Sequence, residues 1–304
     1  MKKVLCALLL VMLMCGSVMA AGKVDTGILT YLGTTEGEFQ EALDDLRKAL
    51  TPLMADEEAR REWEDYDLLD GFLSELVASR RVVHFYDSLL AMQMALRARH
   101  IDEIVLPEPV VMYLTANNPK DYEIQFSLNM MPSTISFGFK AGNTALKKDF
   151  DEAIAAMKKD GTLMTIEERF IRNLGTGEPE EVKFTEFKGS KPIRVAVTGD
   201  LPPIDYIAAD GRATGYNTAI LAEIGKRLKR NIRVMSVDAG GRSAALASER
   251  ADVVFWYRNT EGLKTPKKVG KNLKGVMRDS YGEGIILSEP YYEWDTDLVV
   301  GRSK

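Results

Sequence analysis

The sequence predicts an α/β fold in two lobes. Short apolar strand-like runs alternate with helical periodicities in two separate blocks of the chain, the pattern of mostly parallel sheets covered by helices. A polar stretch bearing Gly and Pro, residues 175–191, reads as a linker leading into the second block. The chain has 304 residues, 45% of them hydrophobic, enough to bury two cores.

The first twenty residues read as an export signal. Lys2 and Lys3 precede an apolar run from Val4 to Met14, and Val18-Met19-Ala20 suits a cleavage site. The run is shorter than the ~20 apolar residues a bilayer span requires. Cys15 raises lipid attachment, but Met14 stands where such a signal takes Gly, Ala or Ser. Cleavage after Ala20 leaves 284 residues, with 38 basic against 45 acidic side chains and a charge of −7. Such a balance gives no basic face for nucleic acid. Both cysteines, Cys6 and Cys15, leave with the signal, so no disulfide is expected. No later segment is long and apolar enough to cross a membrane.

The elements follow in order. Thr35 and Glu38 have capping-box spacing, and Phe39, Leu43, Leu46 and Leu50 then mark one helical face. Residues 51–81 continue as charged helical sequence around Trp63, Tyr66, Phe72 and Leu76. Val82 to Phe85 is a strand, Ser88 to Arg99 a helix, and Ile101 to Leu106 a strand closed by Pro107 and Pro109. Ile135 to Phe139 is extended. Two helices follow, one ending at Asp160-Gly161 and one starting at Thr165 with Glu168 in capping-box spacing. The second block has strands at Ile193–Val197, Ile232–Val237 and Val253–Trp256. Its helices lie within Gly215–Leu228 and over Ser243–Glu249.

From Pro192 to Leu228 the sequence resembles the start of the family 3 extracellular solute-binding proteins, the amino-acid receptors of bacterial ABC importers. The pieces are the strand Ile-Arg-Val-Ala-Val, the turn Leu201-Pro202-Pro203-Ile204-Asp205-Tyr206, then Asp210-Gly211, and Gly215-Tyr216 opening a helix. Ser288-Glu289-Pro290-Tyr291-Tyr292 is similar to the motif that leads from lobe one into the crossover to lobe two. What should follow it stands at the other end of the chain, where Gly33-Thr34-Thr35 resembles the opening turn of lobe two. The resemblance therefore implies a two-lobed periplasmic-binding-protein type II fold in circularly permuted order. Its expected parts are a signal peptide (1–20), lobe two (21–125, with a helical insertion at 36–82) and lobe one (126–304, with the linker 175–191). Two truncated tandem receptors are the competing arrangement. One covalent crossover, near residues 124–137, would replace the family's two, which favours a lobe-exchanged homodimer.

The resemblance also implies a ligand site between the lobes, where strand ends lead into helix N-termini. Thr34 and Thr35 would hold a ligand carboxylate; plain helix capping is the alternative. The arginine usually found three residues after a Thr is Leu263 here, and Arg258 is the nearest replacement. The acid that binds a ligand ammonium is replaced by Pro107, with Glu108 beside it. Tyr206, Trp256 and Tyr257 could stack on the ligand, and Asp205 could face a cationic group. Solvated or core roles compete for each.

No catalytic cluster stands out. The chain has two histidines, His84 and His100, and no Cys/His spacing suited to a metal. The expected protein is not an enzyme and needs no cofactor. Its partners are a small-molecule ligand, an amino acid or similar, and an ABC permease, in the periplasm. The alternatives are an enzyme on the same fold, of dehydratase or cell-wall lyase type using Glu108, Asp205 or Glu261, and a sensing or docking protein without transport.

Overall fold

The computed structural model describes residues 23–30, 40, 44, 81–173, 175–257 and 284–303. The expected signal peptide, nearly all of the insertion 36–82, and Thr34, Thr35 and Arg258 lie outside the described residues.

The first block holds strands β1 (Val24–Leu29), β2 (Arg81–Tyr86) and β3 (Glu103–Pro107) and helices α1 (Leu89–Arg97) and α2 (Glu108–Asn117). A long strand, β4 (Tyr122–Lys140), leads into the second block. There α3 (Thr144–Asp160) and α4 (Thr162–Glu167, continued by a π turn at Glu168–Arg172) precede β5 (Ile193–Val197). Next come a small sheet of β6 (Asp200–Leu201), β7 (Asp205–Ile207) and β8 (Ala213–Thr214), then α5 (Tyr216–Leu228) and β9 (Ile232–Ser236). The described chain ends with α6 (Gly241–Ala247), β10 (Val253–Tyr257), β11 (Ile285–Leu287) and β12 (Tyr292–Arg302).

Among the described residues the main sheet runs β2-β1-β3-β12-β4-β10-β5-β9, with β11 beside β4. Read from its two ends, it repeats one motif. Parallel strands β2-β1-β3 meet antiparallel β12, and parallel strands β9-β5-β10 meet antiparallel β4. Each half is thus a parallel α/β unit closed by a strand arriving from the other half. This is the expected α/β arrangement in two halves.

Two strands cross between the halves, where the sequence leads one to expect a single crossover. The nineteen residues of β4 could span roughly 60 Å. One stretch of β4 pairs with β12 beside β3, and another pairs with β10 and β11. β12 follows it antiparallel, with Trp294 opposite Ser133 and Thr296 opposite Asn129. Residues 130–132 of β4 therefore face the single Asp295 across a bulge. Pro132 lies in that bulge, where a residue without an N–H costs no ladder bond. The expected boundary at 125/126 falls inside β4, and residues 297–301 of β12 pair with β3 in the first half.

Local chemistry explains most elements and corrects two expectations. Helix α2 starts directly at Glu108, where Pro107 and Pro109 suggest only a strand end. Proline fits the first helical turn because those N–H groups have no helical acceptor. Helix α4 starts at Thr162 rather than Thr165. Asp160 Oδ1 accepts the Thr162 N–H at 3.0 Å, and the Thr165 hydroxyl bonds back to the Gly161 carbonyl inside the helix. Gly161, at φ 81°, ends α3 as expected. Thr162 and Arg227 together hold the Asp160 carboxyl at about 2, well below its usual range.

The core is aromatic where the crossing strands enter the second half. Phe137 is fully buried between Phe150, edge-on at 5.0 Å, and Tyr291, stacked at 4.4 Å. A smaller cluster of Ala196, Ala245, Leu246, Ala251 and Val254 packs where α6 meets β5 and β10.

Gly215 opens α5 at φ 92°, and a Cβ there would meet the Pro203 carbonyl oxygen at 2.6 Å. Both the backbone angle and the fixed neighbour exclude a side chain. Gly215→Ala should therefore destabilise by about 1–3 kcal/mol. Chemical denaturation tests this: a midpoint equal to wild type would disprove the constraint.

Candidate functional site

In open α/β sheets, ligands bind beyond the carboxyl ends of the parallel strands. Here the two sets of ends face each other. Asp200, just past the end of β5, accepts through Oδ2 the N–H of Leu89, the first residue of α1, at 2.9 Å. Helix α1 itself begins just past the end of β2, so this bond joins the two halves across the crevice. Ser88 caps the same helix, its Oγ accepting the Ala91 N–H at 3.2 Å. A carboxylate suits this position, because a helix N-terminus presents free N–H groups and partial positive charge.

Asp205, the first residue of β7, lies beneath the loop after β5 and is 1% exposed. Its Oδ2 accepts the Thr198 hydroxyl at 3.1 Å and the Gly199 N–H at 3.0 Å. Burial pushes its pKa up to about 6, opposed by those two bonds and by the Arg242 cation nearby. This carboxylate holds the crevice loop in shape.

Arg242, in the first turn of α6, is a buried cation that the sequence pattern passed over. Its Nη1 donates to the Phe255 carbonyl at 3.1 Å and its Nε to the Ala239 carbonyl at 3.4 Å. It thereby ties α6 to the middle of β10. The signal in sequence was a Gly240-Gly241-Arg242 turn after a strand, too common to stand out.

The remaining expected residues divide. Trp256 and Tyr257 end β10, with backbones opposite Ser136 and Ile135. Tyr206 donates to Glu178 Oε1 at 3.3 Å, so an expected stacking residue is bonded to the expected linker. Both lie beside Tyr113 of α2, whose pKa is raised by burial first and then by Tyr206 and Glu178. Glu108 is exposed in the first turn of α2, near Tyr292. The fold therefore gathers Asp205, Arg242 and the β10 strand at one place.

The groups gathered here are backbone N–H groups, a buried cation and short carboxylates, bonded within the protein itself. Among the described residues no group of three His, Cys, Asp or Glu side chains is placed to hold a metal. No helix among them is long and apolar enough to cross a membrane.

Residues 193–261 match the family model of bacterial extracellular solute-binding proteins, family 3. The match covers 69 of the 304 residues. The family 3 segment runs from β5 through β10, so it contains Asp200, Asp205, Arg242 and the β10 end just described. No curated protein matches the chain. Among solved structures, the chain is similar to the alkanesulfonate-binding protein SsuA from Xanthomonas axonopodis pv. citri bound to MOPS. That match has 8% identity and a TM-score of 0.39, and covers 94% of this chain and 67% of that one. It is also similar to the ligand-binding component of an ABC-type import system from Staphylococcus aureus with zinc bound. There the identity is 10% and the TM-score 0.40, with 92% and 66% covered. A third is NikA from Staphylococcus aureus in complex with Ni(L-His)2, at 11% identity and TM-score 0.40, covering 74% of this chain and 57% of that one. The chain spans between 57% and 67% of the length of these three proteins.

Proposed function

We propose that this chain is an exported, periplasmic solute-binding protein that delivers an amino acid or related small polar solute to an ABC importer. The observation that carries the reading is the family 3 match over 193–261, the segment that contains Asp200, Asp205, Arg242 and the end of β10. The signal-like residues 1–20 support export. The match also begins 192 residues into the chain, at the strand that opens the resemblance, which supports a circularly permuted order with lobe two first. In this reading Thr34, Thr35 and Arg258 hold the solute's carboxylate, and Trp256 and Tyr257 flank it. Arg242 and Asp205 shape the wall behind them.

Thermal-shift measurements across a panel of amino acids and small polar acids test this. At least one solute should raise Tm by several degrees at millimolar concentration, through preferential binding to the folded state. The rise should shrink in Arg258→Ala. A panel with no response would sink the proposed solute class, and an unchanged response in Arg258→Ala would sink the assigned carboxylate site. Native mass spectrometry of the same sample reads the stoichiometry, where a lobe-exchanged homodimer would give twice the chain mass.

A further inference from the structure

Residues 175–181, expected as part of a passive linker, are bonded to both halves of the protein. On the second half, Arg169 pairs with Glu180, the Thr214 hydroxyl donates to the Glu180 carbonyl, and Glu181 bridges to Thr214 of β8. Glu178 accepts from Tyr206 of β7. On the first half, the Gly177 N–H donates to Asn117 Oδ1, at the end of α2, at 2.5 Å. Asn117 is held in turn, its Nδ2 donating to the Tyr113 carbonyl at 2.9 Å. The segment thus begins on α2 and is stitched down along the opposite half.

The bond from Leu89 to Asp200 is a second tie between the halves. These ties join elements outside the main sheet, whereas β4 and β12 connect the halves within it. A bulge interrupts the pairing of those two strands between the stretch beside β3 and the stretch beside β10, which is where a two-lobed molecule can bend.

We infer that Gly177–Asn117 and Asp200–Leu89 form an interlobe clasp that keeps the two halves closed before any solute is bound. A receptor held this way needs less of the solute's binding free energy to reach the competent state, since apparent affinity scales with the fraction already closed. The clasp belongs to this chain's own connectivity, because the segment that supplies Gly177 also joins the end of the π turn to β5. It concerns the solute-free protein, so its test stands apart from the solute-binding reading.

Hydrogen exchange followed by mass spectrometry tests the clasp in solute-free protein, comparing wild type with Asp200→Ala and Asn117→Ala. Each substitution leaves its helix intact: Ser88 still caps α1, and alanine is a good residue for the end of α2. If the contacts open as one unit, each variant should speed exchange on the order of five- to tenfold at both Leu89 and Gly177. The decisive effect is the distant one, in which losing Asp200 exposes Gly177 and losing Asn117 exposes Leu89. Changes confined to the substituted contact, or no change, would overturn the clasp. Should either variant fail to fold, wild type decides alone: one shared opening rate for the two amides supports the clasp, and separate rates overturn it.

Discussion

Phe137→Ala should cost about 3–5 kcal/mol of folding stability, among the largest losses available to a single substitution here. The ring is fully buried and contacts Phe150, Tyr291 and Phe255, so alanine leaves a cavity in a wall made of other rigid rings. The backbone pairing would survive. Phe137 N–H donates to Ser288 Oγ at 2.9 Å, and the Ser288 N–H donates to the Phe137 carbonyl at 2.8 Å. The loss therefore reports side-chain packing rather than strand register. Urea denaturation of the variant beside Met164→Ala, an exposed methionine, makes the comparison. The exposed change should stay within about 0.5 kcal/mol of wild type. A Phe137→Ala protein as stable as that control would show that the aromatic cluster does not hold the crossing strands.

Asp205→Asn should alter how stability depends on pH. The folded carboxyl has a pKa of about 6, raised above its ordinary 3.8 by burial. A raised acid binds its proton more tightly folded than unfolded. Its contribution is therefore fully present below pH ~3.8 and is lost as pH rises through ~6. The accumulated penalty at pH 7 is on the order of 3 kcal/mol. Asparagine keeps an oxygen that can accept from Thr198 and Gly199 and carries no charge to bury. Relative to the variant, wild type should thus lose stability between pH 4 and pH 7. Urea midpoints at the two pH values give the answer, and parallel profiles for the two proteins would refute the assignment.

Much of this fold was legible in sequence. Strands β5, β9 and β10 and helix α5 lie close to where apolar runs and a 3.6-residue period place them, because each is short, strongly patterned and bounded by turn residues. Gly161 ended α3 for the reason a left-handed cap requires glycine. The errors have equally local causes. Pro107 and Pro109 suggest the end of a strand, yet proline in a first turn also begins a helix, and α2 took that course. The Thr165–Glu168 spacing matched a capping box, but the helix had already begun three residues earlier at Thr162, whose N–H the Asp160 carboxylate accepts. β4 hid most of its length because its middle carries Asn, Met and Pro with no alternation.

The site was less legible. Asp205 and Tyr206 stand out in sequence as candidate ligand contacts, while the structure turns Asp205 onto its own loop and Tyr206 onto Glu178. Arg242 and Asn117 carry no sequence signal, since an arginine after two glycines and an asparagine at a helix end are ordinary. What the sequence determined by itself was the α/β class and the family 3 resemblance of residues 193–261, because periodicity and turn chemistry act between near neighbours. What only the tertiary structure decided was that β4 and β12 both cross, that Asp200 meets the start of α1, and that the expected linker ties two halves together. The bonds between the halves, Gly177 to Asn117 and Leu89 to Asp200, join residues sixty or more positions apart, and no local rule of the chain encodes which distant partner will complete a hydrogen bond.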